Sequence, residues 1–472
     1  MYDFNEGLAK VEQLEVLIGS PLLRLSRPLL PHQGMTTKPS AAEPAALLVV
    51  GAATIVLGSD RAADRELRAH WSRIRDAFRS EGYRVPDRPL RSQQFRDYRD
   101  RVLEGSLPGS WKDEMRDRYL GLAVTLGLFP ESDAAWTELP STGVVTSDGT
   151  WFAAASQVTS PKRSRSKYGN PRVVTDADRN NKYDKKGTGY MFCITSVRGD
   201  RARQRVVLDV AHAPKSAELD VVIPTALRLR DQLGDRFRCF VFDGAMRGTH
   251  HRHLRGAGLL TVNKPAGIRR ADQWKLHRDT PVGEGAKVLD LDWGCRCRHL
   301  VTVTAGMFWE LEETVLGGFR RRRALEVADV RRIPVDDGFR WEMDFTVRCP
   351  DGDHTFTCDP NATLRCADGK ALLNGGDLRY GSEMNLAETL RIVQPNDDKF
   401  RSLYGRRNDS ESGNKNAKFD FELGKRARSY TRERHETDLW IYSLLANSLV
   451  WEEHRRTVPS VRAVAARHAR AA

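Results

Sequence analysis

Residues 404–418 read YGRRNDSESGNKNAK, and four of them fall at a defined spacing: Tyr404-x2-Arg407-x3-Glu411-x6-Lys418. If the stretch is one helix, steps of seven return nearly to the same face. Tyr404, Glu411 and Lys418 then form a stripe, with Arg407 one turn from Glu411. Such a face offers one carboxylate, a hard oxygen ligand, flanked by cations suited to phosphate oxygens. Asn408, Asp409 or Ser410 could instead cap a helix that begins later, leaving Tyr404 and Arg407 on a loop. Gly413 also weakens a helix. A solvated, salt-bridged helix would carry the same charges.

Working back from this stretch, two further acids end apolar runs. Val144-Val145-Thr146 leads into Ser147-Asp148-Gly149-Thr150, and Cys239-Phe240-Val241-Phe242 leads into Asp243. The first run reads as a strand ending at a carboxylate. Between the two lie strand-like runs, Tyr190 to Val197 and Arg205 to Ala211, and a helical run, Glu218 to Leu233. Thr249 can cap a helix from His250 to Gly256, and Leu259 to Asn263 reads as another strand. Carboxylates at strand ends converge when their strands are neighbours in one sheet. A lone strand-end Asp is usually a turn residue; here strand order and the distant Glu411 argue together. Two Asp and one Glu suit two Mg²⁺ or Mn²⁺ ions about 3.5–4 Å apart, the arrangement that serves phosphoryl transfer.

The four-residue spacing resembles the signature of bacterial insertion-sequence transposases of the DDE class, in the subgroup marked by Tyr, Arg, Glu and Lys. Ser147-Asp148-Gly149-Thr150 resembles that family's first-Asp strand. Phe242-Asp243-Gly244, with the short helix and strand after it, resembles the second-Asp region. The long interval from Asp243 to Glu411 resembles a β-rich insertion. The resemblance covers roughly residues 140–450 and is weak before residue 135. It implies an α/β, ribonuclease-H-like catalytic core interrupted by a β-rich insertion and preceded by a small α-helical domain. It assigns Asp148, Asp243 and Glu411 as catalytic metal ligands. Tyr404, Arg407 and Lys418 become DNA contacts, Tyr404 positioning the element end. The implied reaction is hydrolysis at each end of a mobile element, then attack of the released 3′-hydroxyl on target DNA. In part of this subgroup a hairpin intervenes, and a tryptophan in the insertion holds a flipped base. Trp309 and Trp341 lie in that region, where a core role competes.

The expected boundaries are a helical domain at 1–135, core at 136–269, insertion at 270–395, and the helical end of the core with a basic tail at 396–472. Residues 1–40 read as loop with one short helix. From Asp60 to Gly82 a single helix is expected, with Leu67, Trp71, Ile74 and Phe78 on one face. Helices from Ser92 and around Trp111 to Leu126 follow. These Arg-rich helices suit either recognition of DNA ends or support of the core. In the insertion, apolar and polar residues alternate, as in Val301-Thr302-Val303 and Trp341 to Phe345. A basic segment, Lys162 to Lys186, and the run Arg320 to Arg323 offer phosphate contacts or solvated surface. His250, His251 and His253 read as a polar helix start.

The formal net charge of +13 suits a polyanionic partner. Double-stranded DNA, as element ends and target, is the expected partner, with a dimer assembled on it. Met1 is followed by Asp3 and Glu6, so no secretory leader is expected. The longest apolar run, Ala45 to Leu57, falls short of the ~20 residues a bilayer span needs; a buried helix or strand is expected there, and no membrane partner. Seven cysteines are too few for a disulfide framework, which fits a reducing cytoplasm, here the bacterial nucleoid. Cys295, Cys297, Cys349, Cys358 and Cys366 fall in the insertion but lack Cys-x2-Cys pairs, so zinc is not expected. Two other functions share parts of this pattern: an inactive transposase-derived DNA-binding regulator, and a metal-dependent nuclease that cuts without joining.

Overall fold

A computed structural model of the 472-residue chain describes residues 9–31, 42–129, 131, 142–154, 177–180, 187–199, 204–214, 217–265, 268, 273–282, 287–291, 293–315, 318–365, 371–373, 383–421, 423 and 431–457. Most of the basic segment (162–176 and 181–186), Cys366 and the basic tail lie outside these. The fold is mixed α/β, with one mixed sheet and several antiparallel ones. The chain forms two compact units. One comprises residues 1–128, 147–222 and 409–472; the other comprises 129–146 and 223–408.

The first unit opens with helices α1 (Lys10–Ile18), α2 (Pro21–Ser26), α3 (Pro44–Val56), α4 (Asp60–Ala69), α5 (Trp71–Ser80), α6 (Ser92–Arg101) and α7 (Gly109–Thr125). Two helices therefore stand where one short helix is expected before residue 40. All of α3 is buried, so the apolar run is a core helix. No single helix among the described residues is long and apolar enough to cross a membrane. A Cβ on Gly51 would come within 2.8 Å of the Phe95 ring, so glycine here permits the close approach of α6. The single helix expected from Asp60 is two. The chain leaves the helical well at His70 (φ −112°, ψ 17°), although Leu67, Trp71, Ile74 and Phe78 are all buried as their spacing predicts.

Strand β1 (Val144–Ala153) starts in the second unit and continues in the first. It does not end at Asp148 but runs five residues further. In the first unit follow β2 (Asp178–Asn180), β3 (Gly187–Arg198) and β4 (Arg205–Ala213). β3 neighbours β1 and pairs antiparallel with β2 and β4. Helix α8 (Glu218–Leu233) matches its expected bounds.

In the second unit, β5 (Cys239–Val241) pairs parallel with the start of β1, Val144 opposite Cys239 and Thr146 opposite Val241. Helix α9 (Gly248–Gly256) leads to β6 (Leu260–Val262), which is parallel to β5. α9 starts at Gly248 rather than after Thr249, because the Glu388 carboxylate accepts from the Gly248 N–H and caps it. The expected β-rich region follows: β7 (Lys287–Leu291), β8 (His299–Thr304), β9 (Met307–Glu313), β10 (Phe319–Ala324), β11 (Glu326–Val335), β12 (Gly338–Val347), β13 (His354–Cys358), β14 (Thr363–Arg365), β15 (Ala371–Leu373) and β16 (Glu383–Asn385). They form antiparallel sheets ordered β10-β9-β8-β7-β15, β11-β12-β13 and β14-β16. On β12, Trp341, Met343, Phe345 and Val347 are buried while the residues between them are partly exposed, the alternation of a one-sided strand. Helices α10 (Leu386–Thr389) and α11 (Asp398–Gly405) close this unit.

The chain then forms α12 (Arg407–Lys415), a π-helical turn over Asn416–Asp420, and the long α13 (Arg432–Thr457). α13 holds the N-terminal helices of its unit. Trp440 packs edge-on against Trp111 and stacked against Tyr119, whose hydroxyl lies 3.2 Å from Ser443 Oγ. Many N-terminal arginines are spent on internal pairs: Arg116 with Asp209 of β4 at 2.8 Å, Arg99 with Asp438 at 3.4 Å, and Arg27 with Glu43 at 2.6 Å.

Candidate active site

β1 is set by the β-branched Val144, Val145 and Thr146, all buried. Ser147 continues the buried face. Its hydroxyl accepts from Thr195 Oγ1 of β3 at 3.0 Å. Asp148 follows on the other side, half-buried. Asn414 of α12 donates from Nδ2 to Asp148 Oδ2 at 3.0 Å, which fixes α12 against the strand. Glu411 lies one turn before Asn414 on an exposed part of the same helix. The buried face of α12 comprises Ser410, Gly413 and Asn414. Gly413, a weakening residue by helix propensity, sits where a Cβ would come within 3.3 Å of Arg205 Nη1.

The Glu218 carboxyl group stands against the opposite face of β1, at Gly149. A Cβ built on Gly149 would meet the Glu218 carboxyl atoms at 2.6–2.8 Å. Any side chain at 149 would displace Glu218, so the glycine of Ser147-Asp148-Gly149-Thr150 has a steric reason. On the Asp148 face of the strand, the Lys418 ammonium lies 5.5 Å from the centre of the Phe152 ring, four residues after Asp148. Within the first unit, β1 thus carries Asp148 bonded to Asn414 of the Glu411 helix and Phe152 under Lys418 on one face, and Glu218 against the other.

Residues 404–418 are not one helix. The first break is at Arg406, between α11 and α12, and the second is the π-helical turn that carries Lys418. π-turns recur at functional sites because the extra residue re-aims a side chain. The seven-residue stripe is therefore interrupted on both sides of Glu411, and the units divide between Asn408 and Asp409. Tyr404 and Arg407 belong to the second unit. The Tyr404 ring stacks on Phe400, centroids 5.5 Å apart and planes 8° apart, and packs on the core. Arg407 is the first residue of α12, half-buried.

Asp243 is also in the second unit, two residues past β5. Its Oδ1 accepts from the Ala245 N–H at 2.8 Å, turning the chain toward α9. The buried Asn263 secures that turn, donating to Met246 O at 3.2 Å and accepting from Arg391 Nε at 2.7 Å. Burial pulls the Arg391 guanidinium down to about 10. Of the three histidines, His250 Nδ1 accepts from the Arg247 N–H at 3.0 Å, and His251 is fully buried against Thr261. His251 thus corrects the expected polar helix start. Trp309 and Trp341 are both fully buried core residues; their indoles donate to Thr304 O and Arg255 O.

Asn414, Glu218 and Asn263 carry no site role in the sequence reading. Only the one-turn distance of Asn414 from Glu411 could have marked it; Asn263 secures the Asp243 turn, and Glu218 reaches β1 at Gly149, through tertiary packing alone.

No known protein-family profile matches the chain, and no curated protein does. A solved structure described as a piggyBac transposase synaptic complex with hairpin DNA is similar at 9% identity and a TM-score of 0.35. The match covers 94% of this chain and 75% of that one. Similarity this distant does not by itself establish a shared fold.

Proposed function

We propose that this chain is a DDE-type DNA transposase of the bacterial insertion-sequence kind, with Asp148, Asp243 and Glu411 as its metal ligands. The observation that carries the proposal is the register of β1 and β5. Asp148 and Asp243 each stand two residues past the same rung of a parallel ladder, Thr146 opposite Val241. The hydrogen bond from Asn414 to Asp148 ties the helix of Glu411 to that same strand. Two more features support a ribonuclease-H-like core: the antiparallel run β1-β3-β4, and α8 leading to the parallel strands β5 and β6. In this reading residues 136–269 and 396–472 form the core around the insertion at 270–395, with residues 1–135 as a helical domain.

The donors fit a hard divalent ion. Asp148, Glu411 and Asp243 offer only carboxylate oxygens. Asp148, Asp243 and Glu411 would hold two Mg²⁺ or Mn²⁺ ions, which would supply charge stabilisation for the attacking and leaving oxygens. Asn414 orients the Asp148 carboxylate by holding Oδ2. Lys418 and Arg407 contact phosphates at the cut, and Tyr404 lies against the element end. Water attacks the phosphodiester at each end of the element and a 3′-hydroxyl leaves. That hydroxyl attacks a target phosphodiester, forming one P–O bond as another breaks. The partner is double-stranded DNA of the cytoplasmic nucleoid, with two chains assembled on paired ends.

The test is cleavage and strand transfer on DNA carrying the repeats that flank the parent locus. Mg²⁺ or Mn²⁺ should support both. Glu411→Ala should reduce both on the order of a thousandfold, several kcal/mol of transition-state stabilisation, with DNA binding retained. Equal cutting by the two proteins would remove Glu411 from the site. Cutting without transfer would make the protein a nuclease, and binding without cutting a regulator.

A further inference from the structure

We propose that the β-rich insertion holds one structural zinc ion, ligated by Cys295, His299, Cys349 and His354. Their ligand atoms all lie within 4.8 Å of one another. Tetrahedral zinc places Cys sulfur at about 2.3 Å and His nitrogen at about 2.0–2.1 Å from the metal, so ligand atoms stand some 3.3–3.8 Å apart. The Cys295 Sγ to His299 Nε2 distance, 3.3 Å, already falls there. The four residues come from two places in one unit. Cys295 lies on the link between β7 and β8, with His299 opening β8. Cys349 lies on the link between β12 and β13, with His354 opening β13. The pairs are Cys-x3-His and Cys-x4-His.

The surroundings are those of a closed structural site. His299 is buried. Trp293 stacks on His354, centroids 4.7 Å apart and planes 9° apart, and packs edge-on against His299. His354 Nε2 is buried and makes no hydrogen bond among the described residues, the state of a nitrogen reserved for a ligand. Four protein ligands leave no open position, so the ion is structural. It would fasten the turn before β8 to the turn before β13, clamping two sheets that share no strand pairing among the described residues. Cys297 and Asp351 form a second possible group through Cys349, but they bring an exposed carboxylate in place of two imidazoles.

The experiment uses the full chain, purified under reductant without chelator. Metal content should be one zinc per chain. Replacement by Co²⁺ should give the intense visible bands of a tetrahedral ion with thiolate charge transfer. Cys295→Ser and His354→Ala should each weaken binding by more than about 100-fold, the upper range for losing a group that merely supports a ligand. Cys297→Ser should leave it unchanged. The cobalt spectrum of the unaltered protein decides the matter even if the variants fail to fold. Absence of those bands with no zinc retained, a Cys295–Cys349 disulfide under reductant, or zinc lost from Cys297→Ser but kept by Cys295→Ser would each overturn the proposal.

Discussion

The acidic group on β1 and the Cys/His cluster of the insertion are proposed to take opposite ions. Around Asp148 the donors are oxygens. The carboxylate is half-buried, and Glu411 sits on an exposed part of its helix. Such a place admits a charged polymer and a hydrated ion. The Cys295 cluster has sulfur and nitrogen donors, a buried His299 and a tryptophan lid on His354. It admits one dehydrated ion and nothing more. Openness and hard ligands serve turnover, whereas closure and soft ligands serve stability. The two places should therefore respond independently to substitution.

The largest effect that separates them is at Asn414. Its amide touches Asp148 and no part of the cluster, and it acts by positioning a ligand. Asn414→Ala should lower metal-dependent cleavage about 10–100-fold and raise the Mg²⁺ concentration for half-maximal rate, as loss of a supporting hydrogen bond does. Zinc content should stay at one per chain. Wild-type cleavage in this variant would mean that α12 does not set the geometry of Asp148.

What was legible in the sequence follows from how local each signal is. β3, β4, β5 and α8 came out close to their observed bounds, because periodicity is written along the chain. Asp148 and Asp243 were legible as ends of apolar runs, although β1 passes Asp148 and continues to Ala153. The stripe from Tyr404 to Lys418 was drawn on an unbroken helix. Side-chain spacing does not report the break at Arg406 or the π-turn, which are backbone events answered by packing. The zinc cluster was illegible for a related reason. Each half pairs a cysteine with a histidine, so a search for paired cysteines passes over it. The halves lie some fifty residues apart and meet only through the β8 and β12–β13 strands.

A smaller effect belongs to His251, behind the turn that carries Asp243. Burial, then Arg391, Arg255 and His250, keep its pKa well below the ordinary 6.5, and Nδ1 lies 2.7 Å from Thr261 Oγ1. The folded form therefore stays neutral while the unfolded chain takes up a proton below about pH 6.5. The unfolded state then binds more protons, so stability falls as pH drops, by up to about 1.4 kcal/mol per pH unit from this one group. Urea unfolding at about pH 7.5 and pH 5.5, compared between wild type and His251→Gln, reads that component. The gap between the two pH values should shrink by about 1 kcal/mol in the variant. An unchanged gap would mean that His251 is protonated in the folded protein too.

The smallest expected effect concerns the basic run on β10, which charge alone marks as a DNA contact. Arg320 faces Glu312 directly across the ladder, and their side chains pair at 2.7 Å. Arg323 reaches Glu310 at 2.5 Å, and Arg321 donates to Pro281 O. These cations already have partners on their own sheet, and a phosphate would have to displace a carboxylate to use them. By contrast, Lys418 rests on the Phe152 ring of β1. Plots of log affinity against log salt for flanking-repeat DNA count phosphate contacts, each worth a slope change of about one. Lys418→Ala should lower the slope by about one and Arg320→Ala should leave it where it is. A slope lowered by Arg320→Ala would instead place DNA along β10, with the pair to Glu312 a resting state that binding exchanges for phosphate.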